Sequence, residues 1–203
     1  MFELIIEIGV IITFFLLLAH AVKNKKLMLI TILLINAFIL EEHAYLLYKQ
    51  VTYGNFYLML FNIPIWVILG WVIQLYVLIF LIGKLKNLKP NGKIALLGLI
   101  MLLIDIVLEP VAYVFNWWRW NSGEIYYIND LFAWVLFSLL VGYFFFSYKE
   151  KDITSLLKKS LILQISGILV GFIWFNLPNL IKMILFLIIL FSLIIILFKE
   201  WHK

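Results

Sequence analysis

Seven apolar runs of about 20 residues, divided by short polar breaks, make up most of this chain. They lie near 3–22, 27–48, 58–82, 94–115, 129–148, 156–175 and 178–198. At ~1.5 Å per residue, a helix of about 20 apolar residues crosses a hydrocarbon core roughly 30 Å thick. In such a core every backbone N–H and C=O must be satisfied within the segment, so helices are the spanning form this pattern allows. The expected fold is an all-α integral membrane protein, one polytopic domain over residues 1–203 with about seven transmembrane helices. Composition agrees: 66% of the residues are hydrophobic and 13% charged, where a soluble domain carries about 25% charged residues. The last two runs are parted by Asn176, Leu177 and Pro178, a break that fits a tight hairpin. The first run lacks a basic region on its N-terminal side, so it reads as a retained span. With no cysteine in the sequence, thiol chemistry and disulfides are excluded.

The basic residues sort by side. Lys23, Lys25 and Lys26 fall in the first break; Lys84, Lys86, Lys89 and Lys93 in the third; Lys149, Lys151, Lys158 and Lys159 in and beside the fifth; Lys199 and Lys203 at the end. Only Lys49, Arg119 and Lys182 of the 16 lie on the other side. The positive-inside rule then puts the N-terminus outside and the C-terminus in the cytoplasm, with the cell membrane as the location. Topology thus accounts for the net charge of +5 without a nucleic-acid partner.

The acids take the opposite side. Glu150, Asp152 and Glu200 are cytoplasmic, whereas Glu3, Glu7, Glu41, Glu42, Asp105, Glu109, Glu124 and Asp130 map to the outer half. Counting ~1.5 Å per residue from Lys93 puts Asp105 roughly 18 Å and Glu109 roughly 24 Å into the fourth helix. The same count from Lys26 puts Glu41 roughly 22 Å into the second. Asp105 and Glu109 are four apart and share a helix face. Of the adjacent Glu41 and Glu42, at most one points squarely into a bundle. Carboxyl groups close together in low dielectric do not all ionise, so such a cluster is a store of protons. Pro110, lacking an N–H, cannot donate to the Ile106 carbonyl beside the pair.

Structural pairing is the competing explanation, with Arg119, His43 or backbone groups as partners. It would need more cations than the outer half supplies. Trp117, Trp118, Trp120, Tyr126 and Tyr127 fit an interfacial aromatic belt; the same rings would also line a pocket and stabilise a cation through their faces. His20 near the end of the first helix reads as a snorkelling or capping residue, and Gln74 as an interhelical hydrogen-bond donor. Gly167 and Gly171, four apart, would allow close helix packing. No metal-binding, phosphate-loop or nucleophilic-triad motif is present in the sequence.

The run Asp105-x3-Glu109-Pro110-Val111-Ala112, with Trp118-x-Trp120, Gly123, Tyr126-Tyr127, Asn129 and Trp134 after it, resembles the carotenoid biosynthesis membrane proteins. That family includes carotenoid hydratases of the gamma-carotene hydratase and bisanhydrobacterioruberin hydratase type. Upstream, Tyr53-Gly54-Asn55-Phe56-Tyr57, Pro64 and Trp71 also resemble its pattern, so the likeness covers about residues 36–140. Glu109-Pro110 stands where the family usually has Asp-Pro, and a Gly-Val-Pro between the tyrosines and Asn129 is missing, which makes this a divergent, compact member.

The resemblance implies a hydro-lyase that adds water across a terminal C=C of an acyclic polyene, without a metal or redox cofactor. Asp105 or Glu109 would donate the proton, with Glu41 or Glu42 tuning it or orienting water. Asn129 and Asp130 would position that water; His43, Tyr57, Trp118, Trp120, Tyr126, Tyr127 and Trp134 would line the site. The implied partners are a lipophilic polyene or isoprenoid, membrane lipid and other enzymes of the pathway. Two alternatives share the acid cluster: a lycopene-cyclase-like enzyme, in which an internal double bond traps the cation, and a proton-coupled small-molecule transporter. A through-pathway for protons would need polar residues across the inner half, where little beyond Gln74 and His20 occurs. A retinal protein would need a lysine in the middle of the last helix, and Lys182 and Lys199 lie near its ends.

Overall fold

A computed structural model describes residues 2–42, 51–121, 125–147, 162, 165 and 176–201, and for residues 2, 125–130, 147, 179 and 201 the backbone alone. Apart from Ile162 and Ile165, the expected sixth span at 156–175, with Gly167 and Gly171, lies outside the described residues, as do His43, Lys49 and Glu124. Six helices are described: α1 Phe2–Lys23, α2 Leu27–Glu42, α3 Ile65–Gly83, α4 Pro90–Val114, α5 Ile125–Ser147 and α6 Asn179–Trp201. Four of them, α1, α3, α4 and α6, are long and apolar enough to cross a membrane. On α6, Leu180, Ile184, Leu187, Ile188, Phe191 and Ile195 are exposed. An apolar surface of this extent suits hydrocarbon and not water.

The chain divides into two compact units, one of Met1–Val77 with Ala112–Asn121, the other of Leu78–Val111 with Ser122–Lys203. The first unit is not purely helical. Two small antiparallel sheets are added to the mostly helical structure: β1 Val51–Tyr53 pairs with β4 Trp118–Trp120, and β2 Met59–Leu60 pairs with β3 Ile63–Pro64. The third apolar run therefore enters as a hairpin, and α3 begins at Ile65 instead of near residue 58. Leu60 stands opposite Ile63 across a two-residue turn, with Phe61 at φ 53°. The positive φ at Phe61 is the conformation a tight hairpin demands of its first turn residue. Pro64 has no N–H for a helix interior and stands at the end of this ribbon.

Helix ends explain how the strands of the first unit are presented. At the end of α1 the Lys26 N–H donates to the Ala21 carbonyl at 2.7 Å and the Lys25 N–H to Val22 at 3.1 Å. Lys25 has φ 56°, so this is a Schellman cap without a glycine. The end of α4 repeats the device. Trp117 N–H donates to Ala112 O at 2.8 Å, Asn116 N–H to Tyr113 O at 3.2 Å, and Asn116 has φ 56°. Asparagine tolerates the left-handed region better than most side chains. The cap turns the chain directly into β4. Opposite it, the Gly54 N–H donates to Trp117 O at 2.9 Å. A Cβ on Gly54 would lie 2.3 Å from the Asn116 carbonyl oxygen, so only glycine fits here.

In the second unit, Ala95 and Leu102 of α4, Leu131 and Val135 of α5 and Leu193 of α6 form one buried core. Phe186, Ile189, Leu190 and Leu197 pack against it from α6. Gly98 lets three helices meet: its position faces Leu139 of α5 and Leu193 of α6.

Candidate functional site

Four carboxylates are buried among the described residues: Glu7 and Asp105 at 0% exposure, Glu109 at 5% and Glu41 at 7%. Burial of an acid is costly unless hydrogen bonds or charges compensate it. The two units meet this cost differently.

In the first unit, Glu41 occupies the last turn of α2. Its Oε1 accepts from the Trp71 indole N–H at 2.6 Å, and its Oε2 accepts from the Tyr53 hydroxyl. Glu42 is only partly buried, so of the adjacent pair it is Glu41 that turns fully inward. Glu7 of α1 is a clamp on the loop before β2: its Oε1 accepts from the backbone N–H groups of Tyr57 at 3.0 Å and Leu58 at 3.1 Å. The other oxygen, Oε2, is buried without a hydrogen-bond partner among the described residues. Tyr57 itself is 65% exposed. It therefore enters the clamp through its backbone and not its ring.

The tryptophans gather into a cluster. Trp66 of α3 meets Trp117 edge-on at 5.3 Å, stacks on Trp118 at 6.1 Å and contacts Phe56 at 5.4 Å. Trp117 and Trp118 are buried, which distinguishes them from an exposed interfacial belt. Trp120 stands in β4 opposite Val51, while Arg119 is exposed on the same strand. His20 hydrogen-bonds through Nδ1 to the Tyr76 hydroxyl at 3.0 Å, a packed pairing in place of the expected snorkel. Gln74, expected to bridge helices, has its carbonyl oxygen buried without a hydrogen-bond partner among the described residues.

In the second unit, Asp105 and Glu109 stand on α4 with Pro110 inside the helix. Both are buried, as their shared face requires. The exposed Ile106, Val107 and Val111 mark the opposite face. The partner helix α5 runs antiparallel to α4: Gly98 faces Leu139, and Gly142 faces Leu97 and Ile94. Eleven residues on from Gly98 is Glu109, and eleven back from Leu139 is Ile128. Residues 128–130, which include Asn129 and Asp130, are therefore level with Glu109 on the backbone of α5. The side chains of Tyr126, Tyr127, Asn129 and Asp130 lie outside the described residues. Trp134, one turn further, is buried and meets Phe137 edge-on at 5.8 Å; its carbonyl accepts from Ser138 Oγ at 2.7 Å.

The sequence pattern picks out the buried acids but gives no site role to three further side chains. Tyr53 and Trp71 hold Glu41, and Lys182 is buried at 6% exposure in the first turn of α6. A lysine four residues past Pro178 within an apolar run was the available signal for the last. Among the described residues no group of three or more His, Cys, Asp or Glu side chains is placed to hold a metal ion. Comparison with family models, with curated proteins and with solved structures finds no match in any of the three.

Proposed function

We propose that the chain is a multi-pass membrane enzyme that protonates a terminal C=C of an acyclic polyene or related isoprenoid and adds water to it. The observation carrying this reading is the pair Asp105 and Glu109, wholly inside a helix long and apolar enough to span a membrane. Such a pair is costly to maintain, and intramembrane acids mark sites of proton chemistry. The residue pattern around them, with its resemblance to the carotenoid biosynthesis membrane proteins, supports the substrate class.

In this mechanism one carboxylic acid of the pair delivers its proton to an alkene carbon, forming the new C–H bond and a tertiary carbocation. A single water adds to the cation, and the proton it sheds returns to the carboxylate. The group is thereby reset without net change. Exclusion of bulk water protects the cation from indiscriminate capture and admits a single water. Asn129, level with Glu109 on α5, is suited to positioning that water. The long apolar chain enters from lipid.

The reading includes seven crossings in the cell membrane, with the N-terminus outside and the C-terminus cytoplasmic. Its support is the charge asymmetry, together with the direction of two helices. Both α5 and α6 run antiparallel to α4, so Ser147 and Asn179 lie at opposite ends of the second unit. A further crossing between them would make that connection.

Expression in a host that makes lycopene or another acyclic carotenoid, with pigments resolved by chromatography and mass, is the test. A product heavier by one water is expected. A product of unchanged mass would replace hydration by cyclisation. Unaltered pigment with folded protein in the membrane would overturn the reading and favour proton-coupled transport.

A further inference from the structure

Lys182 is a buried cation at a place where nothing in its own helix favours it. It stands in the first turn of α6, its N–H bonded to the Pro178 carbonyl at 3.1 Å. The positive end of a helix dipole repels an ammonium group there. Lysine is almost never this buried unless paired.

Packing in the second unit indicates the pairing. Gly92 faces Glu200 and Gly98 faces Leu193, so α4 and α6 run antiparallel in steady register. Eleven residues on from Gly98 is Glu109; eleven back from Leu193 is Lys182. The same step of seven matches Asp105 with Phe186. Both stripes are continuous. On α4, Ala95, Gly98, Leu102, Asp105 and Glu109 recur at spacings of three and four. On α6, Lys182, Phe186, Ile189, Leu193 and Leu197 do the same, and the last four belong to the core that α4 faces. Among the described residues of this unit, the buried charged side chains are Asp105, Glu109 and Lys182.

We infer that Lys182 stands against Glu109 as the counter-cation of the buried acid pair, forming an Asp105–Glu109–Lys182 group. Two acids and one lysine are electrically balanced when the acids share a single proton. An uncompensated second negative charge in this environment is strongly disfavoured. Lys182 is thus a positioning residue: it holds one carboxylate ionised and leaves the other as the carrier of the site's proton. The inference rests on the proposed acid site for its place in the reaction, whereas the ion group rests on helix packing.

The test uses the purified full chain in detergent, comparing K182M, K182R, E109Q and K182M/E109Q by thermal unfolding and by the infrared carbonyl stretch of protonated carboxyl groups. K182M is expected to lower Tm by on the order of 10 °C, as breaking a buried pair does. It should also add intensity to the protonated-carboxyl band. Both changes should disappear in K182M/E109Q, and K182R should resemble the parent. If K182M does not accumulate in folded form, the charge-neutral double variant and K182R must do so. A K182M protein with unchanged Tm and infrared band, or a double variant whose losses merely add, overturns the inference. Failure of the hydration assay alone leaves these results intact, so the two readings fail separately.

Discussion

Glu41 and Asp105 are both buried carboxylates on apolar helices, yet the chain satisfies them in different ways. Glu41 ends α2, where the polypeptide nearby is free to bring in Tyr53 from a strand and Trp71 from the next helix. Asp105 sits inside α4, nine residues before Val114. Around a helix interior the backbone N–H groups are already spent on the helix itself, so a carboxyl there depends on side chains from neighbouring helices. A neutral donor pair such as Tyr53 and Trp71 fixes a carboxylate in place. A lysine on a facing helix, as inferred for Lys182, would fix its charge. On the proposed reading, the same residue type is a fastening in one unit and a proton site in the other.

The sharpest way to break this contrast is to neutralise one acid at a time. Asp105→Asn and Glu109→Gln should each reduce product formation by about 10²-fold or more, the size of a general-acid contribution. Glu41→Gln should keep most of the activity while losing stability. Equal loss of activity in all three, measured per folded protein, would erase the distinction. Next in size is Gly54→Ala, which drives a methyl into the Asn116 carbonyl and should cost on the order of 3 kcal/mol in unfolding experiments. Gly98→Ala is its control in the second unit. There the new methyl meets the tip of Leu139 at 2.8 Å, and a flexible tip can move aside for roughly 1 kcal/mol. Tyr53→Phe sharpens the picture of Glu41, since loss of one donor to a buried carboxylate should cost about 1.5–3 kcal/mol in the same measurement. Arg119→Ala, on the exposed face of β4, should change stability by no more than about 0.5 kcal/mol.

Much of this arrangement is legible in the residues. The membrane helices α1, α3, α4 and α6 follow from the length of their apolar runs, and the i,i+4 spacing of Asp105 and Glu109 foretells their shared buried face. What escaped was non-local or disguised. The hairpin at Met59–Pro64 is as apolar as a helix, and only Pro64 and the turn at Phe61-Asn62 hint at it. Pairing of Thr52 with Arg119 joins parts of the chain that no local pattern connects. Glu41 and Glu7 are equally acidic in the sequence, but the donors that hold them come from 12 and 30 residues away in one case and from 50 and 51 in the other. Lys182 looks peripheral when counted from the end of its helix. Its meaning depends on the register with α4, which only packing defines.

The β1–β4 ribbon carries a consequence for how the protein is made. Val51–Tyr53 leaves the ribosome long before Trp118–Trp120, and its partner exists only after α3 and α4 have been synthesised. At ~5–20 residues per second, that interval is roughly 3–13 s. During it Gly54 has no Trp117 carbonyl to bond, and the strand edge is open to other chains. Closure of this ribbon therefore waits on the synthesis of α3 and α4, and residues 51–53 stay without their partner strand for that interval.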